Sequence, residues 1–279
     1  MATFLSYPIV LIHGYVDVPA ISGTWRVAEK VLNDMGIEFL TPHIPPHGSI
    51  DERSKSLIQQ ISKAFPGRTV HLFGHSMGGI NARDIASIAM SRDLGFKIHT
   101  VTTFGTPHRG VKMINFASPT RDHYGAFSNL THNFMAKFNE RVQNNPSVQY
   151  FSWSSITQHP TLVFLPVFPA SRLFGPTDGV VNSSSSVWGE DLGKGTHLAT
   201  IEGLDHIGVT GRTAVTATIP HLVAAEKGTT VKVQVVDNNL VQAVARGVEA
   251  NVDKALSPAR SLFAVAGLTK LDGISEFKL

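Results

Sequence analysis

The 279-residue sequence contains no cysteine, which removes disulfides, thiolate metal sites and cysteine nucleophiles and fits a reducing compartment. It has no stretch approaching the roughly 20 consecutive apolar residues that a membrane-spanning helix requires. Nor does it begin with a basic segment followed by a long apolar core, since its first apolar run, Ile9 to Ile12, is short enough to be a strand. That pattern weighs slightly toward an intracellular location and leaves secretion open. Concentrated positive charge is missing as well. Lys and Arg number 24 against 21 Asp and Glu, and they are scattered, so nucleic acid is not an expected partner. Internal repeats, coiled-coil heptads and low-complexity tracts are also missing. What the chain does have is a 42% hydrophobic content, enough for the core of one large α/β domain spanning 1–279.

One stretch organises the rest. The apolar run Val70 to Phe73 leads straight into Gly74-His75-Ser76-Met77-Gly78, and Ile80, Ile85, Ile88 and Ala89 then follow at helical spacing. The pattern G-x-S-x-G alone is weak, because at this glycine and serine content it arises by chance in roughly one chain in six. Its context is informative: strand, elbow and helix occur in the order that thrusts a serine hydroxyl over a sheet edge on a strained turn. Ser76 is therefore the candidate nucleophile.

Around this elbow the chain alternates. Residues 7–12 form a β-branched run ending at His13-Gly14, the profile of a central strand buried on both faces. Trp25, Val27, Ala28, Val31, Leu32 and Met35 recur at helical spacing, with Gly36 placed as a stop. A strand is expected at 37–40. A helix beginning at Asp51 and carrying Leu57, Ile58, Ile61, Ala64 and Phe65 should end at Pro66-Gly67. Residues 98–104, 147–153 and 196–201 read as further strands. The sum is an α/β class with a mainly parallel central sheet and helices on both faces. Residues 111–146 break the alternation and read either as a lid over the strand ends or as extra core-packing helices. The serines at 183–186 read as a solvated loop. His43 and His47 lie among prolines in an extended segment, so a metal is not expected there. Beyond 228, alternating valines and a helical stripe at 240–256 suggest a C-terminal extension packed on the domain.

A serine hydroxyl needs a base to take its proton and a carboxylate to orient that base. In α/β-hydrolases these follow in the order serine, acid, histidine. His197, His206 and His221 lie late enough. His197 starts a strand and His221 follows Pro220 on a helix, so His206, in a loop after the last core strand, is the candidate base. His108, beside a proline turn and ahead of any suitable acid, is expected to be structural. Asp178, expected to follow a strand and a Gly-Pro-Thr turn, is preferred as the acid over Asp191 and Asp205. Backbone amides of Met77, which begins the helix after the elbow, and of Tyr15, in the loop after the first strand, are the candidate oxyanion donors.

Together Pro8-Ile-Val-Leu-Ile-His-Gly, Gly74-His-Ser-Met-Gly-Gly, Gly105-Thr-Pro-His-Arg-Gly and Asp178-Gly-Val-Val resemble the bacterial and fungal triacylglycerol lipases of the α/β-hydrolase fold, over about residues 7–210. The resemblance implies carboxylic ester hydrolysis with Ser76, Asp178 and His206 as triad, and a lid between 111 and 146. It further implies a small-molecule or lipid ester substrate and transient contact with lipid surfaces. Many bacterial members carry a calcium-binding aspartate just beyond the catalytic histidine. Here Ile207-Gly208-Val209 follow, a departure from that pattern, and no cofactor or metal is expected. A thioesterase, an acyltransferase or a non-enzymatic binding module on the same fold are the alternatives.

Overall fold

A computed structural model of the protein describes residues 5–15, 23–116, 128–188 and 195–229. Asp191 and the extension beyond Thr229 lie outside the described residues. Six strands form one sheet: β1 (Ile9–Ile12), β2 (Phe39–Leu40), β3 (Thr69–His75), β4 (Lys97–Phe104), β5 (Gln149–Ile156) and β6 (Gly195–Glu202). Their order is β2-β1-β3-β4-β5-β6 and every pairing is parallel. The helices are α1 (Arg26–Asp34), α2 (Ile50–Ala64), α3 (Met77–Ile88), α4 (His132–Arg141), α5 (Phe168–Arg172), α6 (Ser183–Ser186) and α7 (Arg212–Glu226).

A parallel sheet needs cover on both faces, and the two-residue period of the strands supplies it. Ile9, Leu11, Phe73 and Phe104 point to one face, where Ala28 and Val31 of α1 and Val215, Ile219 and Leu222 of α7 pack. Val10, Ile12, Leu72 and Val101 point to the other, against Leu57 and Ile61 of α2 and Ala82 and Ile85 of α3. Strand order reverses between β1 and β3, so the crevice outside their carboxyl ends is where such a sheet offers a ligand site.

Three local expectations change. The strand expected at 37–40 shrinks to two residues because the Ile37 amide instead donates to Leu32 O, at 2.9 Å, closing the end of α1. Helix α2 begins one residue before Asp51, since Ser49 and Glu52 form a reciprocal capping box: Glu52 N donates to Ser49 Oγ at 3.3 Å and Ser49 N to Glu52 Oε2 at 2.8 Å. The serines at 183–186 form the single turn α6 in place of a solvated loop. Ser185 is buried because its hydroxyl donates to Gly110 O at 2.7 Å and accepts from Arg109 N at 3.1 Å. Within 111–146, the described residues Val111, Leu130, Met135 and Phe138 are buried with Met77 and Ile80 of α3, while 117–127 lie outside the described residues. Among the described residues no helix is long and apolar enough to cross a membrane.

At the amino ends of the strands, Glu226 in the last turn of α7 accepts from Ser6 N, Tyr7 N and His71 Nε2, all at 2.8–3.0 Å. Burial raises its pKa, but these donors outweigh burial and bring it down to about 2. His71 is itself lowered by burial, so the pair is a neutral imidazole donating to a carboxylate, with Thr100 Oγ1 serving the other ring nitrogen at 2.9 Å. The end of α7 is thereby tied to the entry into β1.

On α7, His221 is buried with its ring centroid 5.6 Å from that of Phe151, and burial lowers its pKa from 6.5 to about 4. The unfolded chain takes up this proton near 6.5 and the folded chain only near 4, so stability is level above about 6.5 and falls as pH drops through that window. The expected loss from this one group is about 2 kcal/mol at pH 5. Thermal melts of wild type and His221→Phe across that range measure it: the variant should lose less stability on acidification, and equal losses would clear His221 of the effect.

Candidate active site

The elbow begins where β3 ends. Ser76 has φ 52° and ψ −127° and is, among the described residues, the one non-glycine with positive φ. Such a conformation costs on the order of 1–3 kcal/mol and persists only where its surroundings over-determine it. Here they do. Ser76 N donates to Phe104 O at 2.9 Å, which locks the turn to β4. Two residues on, the backbone of Gly78 runs so close to β1 that a β-carbon would overlap the carbonyls of Ile12 and His13. The side chain of Ser76 makes no capping hydrogen bond to α3, the Gly79 amide donates to Ser76 O at 3.1 Å, and Met77 opens the helix directly after the serine.

The other rim of the crevice is the loop after β1. A β-carbon at Gly14 would lie 2.9 Å from Ser76 Cβ and 3.4 Å from its Oγ, so this loop passes directly over the serine and brings Tyr15 beside Met77 in the same apolar cluster. Holding it there is Arg53 of α2, a residue the sequence reading did not single out. Its buried guanidinium donates to His13 O at 2.6 Å, to Pro45 O at 3.0 Å and, through Nε, to Asn81 Oδ1 at 2.8 Å. Burial lowers its pKa to about 10. His13 completes the brace. Ile44 N donates to its Nε2 at 3.4 Å, so Nδ1 carries the proton and donates to Gly14 O at 2.9 Å.

His206 and Asp178 meet at the carboxyl ends of β5 and β6. His206 Nδ1 donates to Asp178 Oδ2 at 2.7 Å, and the His206 amide donates to Asp178 O at 2.8 Å. The second carboxylate oxygen accepts from Val180 N and Val181 N at 2.9 and 2.8 Å, which fixes the orientation of the acid. Asp178 does not directly follow a strand. It heads a tight turn bounded by the Thr177–Asn182 bridge and attached to β5 by Thr157 N donating to Thr177 O at 2.9 Å. Gly105, at φ 56°, closes the floor, where a β-carbon would come within 3.2 Å of Asp178 Oδ2 and 3.3 Å of His206 Nδ1.

The neighbouring residues support this pair. His75 Nε2 donates to His206 O at 2.7 Å, joining the elbow strand to the histidine loop. Burial, then the proximity of His206, keeps His75 far below the usual imidazole range, so it stays neutral. Asp205 is a brace. Its Oδ1 accepts from Ile207 N and Gly208 N, and its Oδ2 accepts from Thr161 N at 2.9 Å. The other histidines are engaged elsewhere. His108 accepts from Arg83 at 3.3 Å and donates to Thr103 Oγ1 at 3.1 Å, and His197 bonds Ser152 and Thr200 through its two ring nitrogens. Among the described residues no group of three or more His, Asp or Glu side chains is arranged to hold a metal.

No family model matches the chain. Over 211 residues it is 29% identical to triacylglycerol lipase 2 of Saccharomyces cerevisiae, covering 66% of this chain and 61% of the relative. It is 25% identical to the triacylglycerol lipase of Pseudarthrobacter phenanthrenivorans, covering 69% of this chain and 62% of the relative. The chain thus spans about three fifths of the length of these curated relatives. A lipase of Bacillus licheniformis in its mature form superposes with a TM-score of 0.63 at 22% identity, covering 77% of this chain and 91% of that one. The fold is that of the α/β-hydrolases, and the curated relatives are named as triacylglycerol lipases.

Arg53 acts on the crevice through His13, so its replacement should be visible in the reactivity of the serine. Arg53→Lys keeps the charge but loses the fork that spans three carbonyl and amide acceptors. Labelling of Ser76 by a fluorophosphonate probe should slow by about tenfold, with a lowered thermal midpoint from the acceptors left unpaired. A variant that labels at the wild-type rate would show that the loop over Ser76 does not depend on this brace.

Proposed function

We propose that this protein is a serine hydrolase that cleaves carboxylic esters, with acylglycerol-type lipid esters as its substrate class. The observation that carries the reading is the 2.7 Å bond from His206 Nδ1 to Asp178, in a loop tied by His75 to the end of the elbow strand, where Ser76 is held in a strained conformation. With Nδ1 given to Asp178, Nε2 of His206 is the nitrogen left to act as base.

In this mechanism His206 takes the proton of Ser76 as Oγ adds to the ester carbonyl. The charge that develops on the carbonyl oxygen is received by the amides of Met77 and Tyr15, donors oriented before the reaction begins. Collapse expels the alcohol, which takes its proton from His206 and leaves an acyl-serine. Water then enters, His206 again serves as base, and the carboxylic acid departs. Asp178 keeps the imidazole in the required tautomer and stabilises the cation formed at each step. The lipase names of the relatives support an ester of lipid type, and the mixed apolar cluster of Tyr15, Met77 and Met113 beside the serine suits an acyl chain.

Ser76→Ala should abolish ester hydrolysis while leaving the thermal midpoint close to wild type, and Asp178→Asn should lower kcat on the order of a thousandfold or more by stabilising the wrong tautomer. Both are measured with p-nitrophenyl esters from acetate to oleate, with and without a chelator. Wild-type turnover by Ser76→Ala would reject the nucleophile. A profile without hydrolysis at any chain length would reject the substrate class.

A further inference from the structure

Of the six large apolar side chains exposed among the described residues, four lie in one excursion: Leu162 (83% exposed), Val163 (49%), Leu165 (47%) and Leu173 (82%). The excursion leaves the end of β5, makes a 3-10 turn at Leu162–Phe164, continues as α5 and returns at Asp178. We infer that this arm, residues 160–176, is the surface by which the protein seats on an aggregated lipid-ester phase. The inference rests on the reading of the site as an ester hydrolase, and it assigns lipid contact to this arm.

The arm's exposure does not come from slackness. Its base is pinned: Asn182 Nδ2 donates to Ser171 O at 3.0 Å and Gly175 O at 3.1 Å, and Ser171 Oγ donates to Phe168 O at 2.9 Å. Phe168 is buried, and α5 packs on the turn Lys112–Phe116. Rigid apolar side chains held in water are a preorganised surface, because little ordering remains to be done on docking.

The backbone is equally suited to an apolar phase. Phe164 N, Leu165 N and Val167 N donate to Thr161 O, Leu162 O and Phe164 O, and Thr161 N is taken by Asp205. Residues 160, 166, 169 and 176 are prolines with no amide hydrogen to satisfy. Hydrocarbon can therefore cover the arm without stranding these amides, which is the usual obstacle to burying a loop in lipid.

Charge and position point to the same occupant. Residues 158–177 contain no Asp or Glu, and their one Lys or Arg is Arg172, exposed at the end of α5, where a cation can reach phosphate headgroups while its neighbours enter the acyl layer. The inner side of the arm adjoins the reacting residues. The Phe164 ring stands edge-on to His206 with centroids 5.8 Å apart, and Asp205 bonds both Thr161 of the arm and the turn after His206. An acyl chain entering at the arm thus arrives beside the base.

The test uses the full chain, in flotation assays with phosphatidylcholine vesicles with and without phosphatidylglycerol. Leu162→Asp combined with Leu173→Asp should lower vesicle partition at least tenfold and lower the rate on emulsified triacylglycerol in parallel, while hydrolysis of monomeric p-nitrophenyl butyrate stays within twofold. Val27→Asp alters an exposed apolar residue on α1 away from the arm and should leave partition unchanged. Ser76→Ala should partition like wild type, so a failure of the catalytic reading shows as binding without turnover and is distinct from a failure of docking. Unchanged partition of the double variant, an equal loss in Val27→Asp, or wild-type binding that requires phosphatidylglycerol and vanishes in high salt would each overturn the assignment.

Discussion

The close approach of Gly78 to the carbonyls of Ile12 and His13 is the constraint on which the site depends. It draws the start of α3 against β1, and that contact forces Ser76 into a conformation an L-residue adopts only when held there. Once the serine is raised above the sheet, the loop after β1 has to pass over it and the loops after β5 and β6 must come to it from the far side. The crevice at the β1/β3 reversal is thus a result of packing in the middle of the sheet, and the reacting groups sit on stiff elements.

A second theme is the neutrality of the surrounding histidines. His75 and His108 are buried and kept far below the usual imidazole range; His75 gives Nε2 to His206 O, and His108 gives both ring nitrogens to Arg83 and Thr103. Cations are treated differently. Arg53 spreads its charge over carbonyl oxygens, and Arg83 stacks 3.4 Å over the Trp188 ring, with burial lowering its pKa to about 9. Carbonyl dipoles compensate the first charge, and an aromatic face together with the nearby Asp84 carboxylate compensates the second.

Much of this was legible in the sequence, and the reasons are local. Both-face burial leaves an apolar run, as at Val10 and Ile12, and a strand entering G-x-S-x-G leaves the elbow. Loop position separated His206 from His197 and His221, which bond or pack elsewhere. Other features were hidden because they arise from contacts distant in the chain. Arg53 reaches back 40 residues to His13, and nothing near it in the sequence marks that bond. Asp205, weighed only as a rival acid, is a brace because its partners include Thr161 on another loop. The serines at 183–186 looked solvated since their acceptor, Gly110 O, lies 75 residues away from Ser185. The 111–146 segment stands out by interrupting the alternation, yet among the described residues the two most exposed large apolar side chains, Leu162 and Leu173, belong to 160–176.

The Glu226 clamp gives the molecule a direction. Because it gathers Ser6, Tyr7 and His71 of β3, the chain both enters the described body and passes Thr229 on the side opposite Ser76, with the stretch of β3 from His71 to Ser76, about 16 Å, between them. A reporter group attached at Thr229 would therefore stand at the end of the sheet away from the chemical face, and placing it there alters no residue near the crevice.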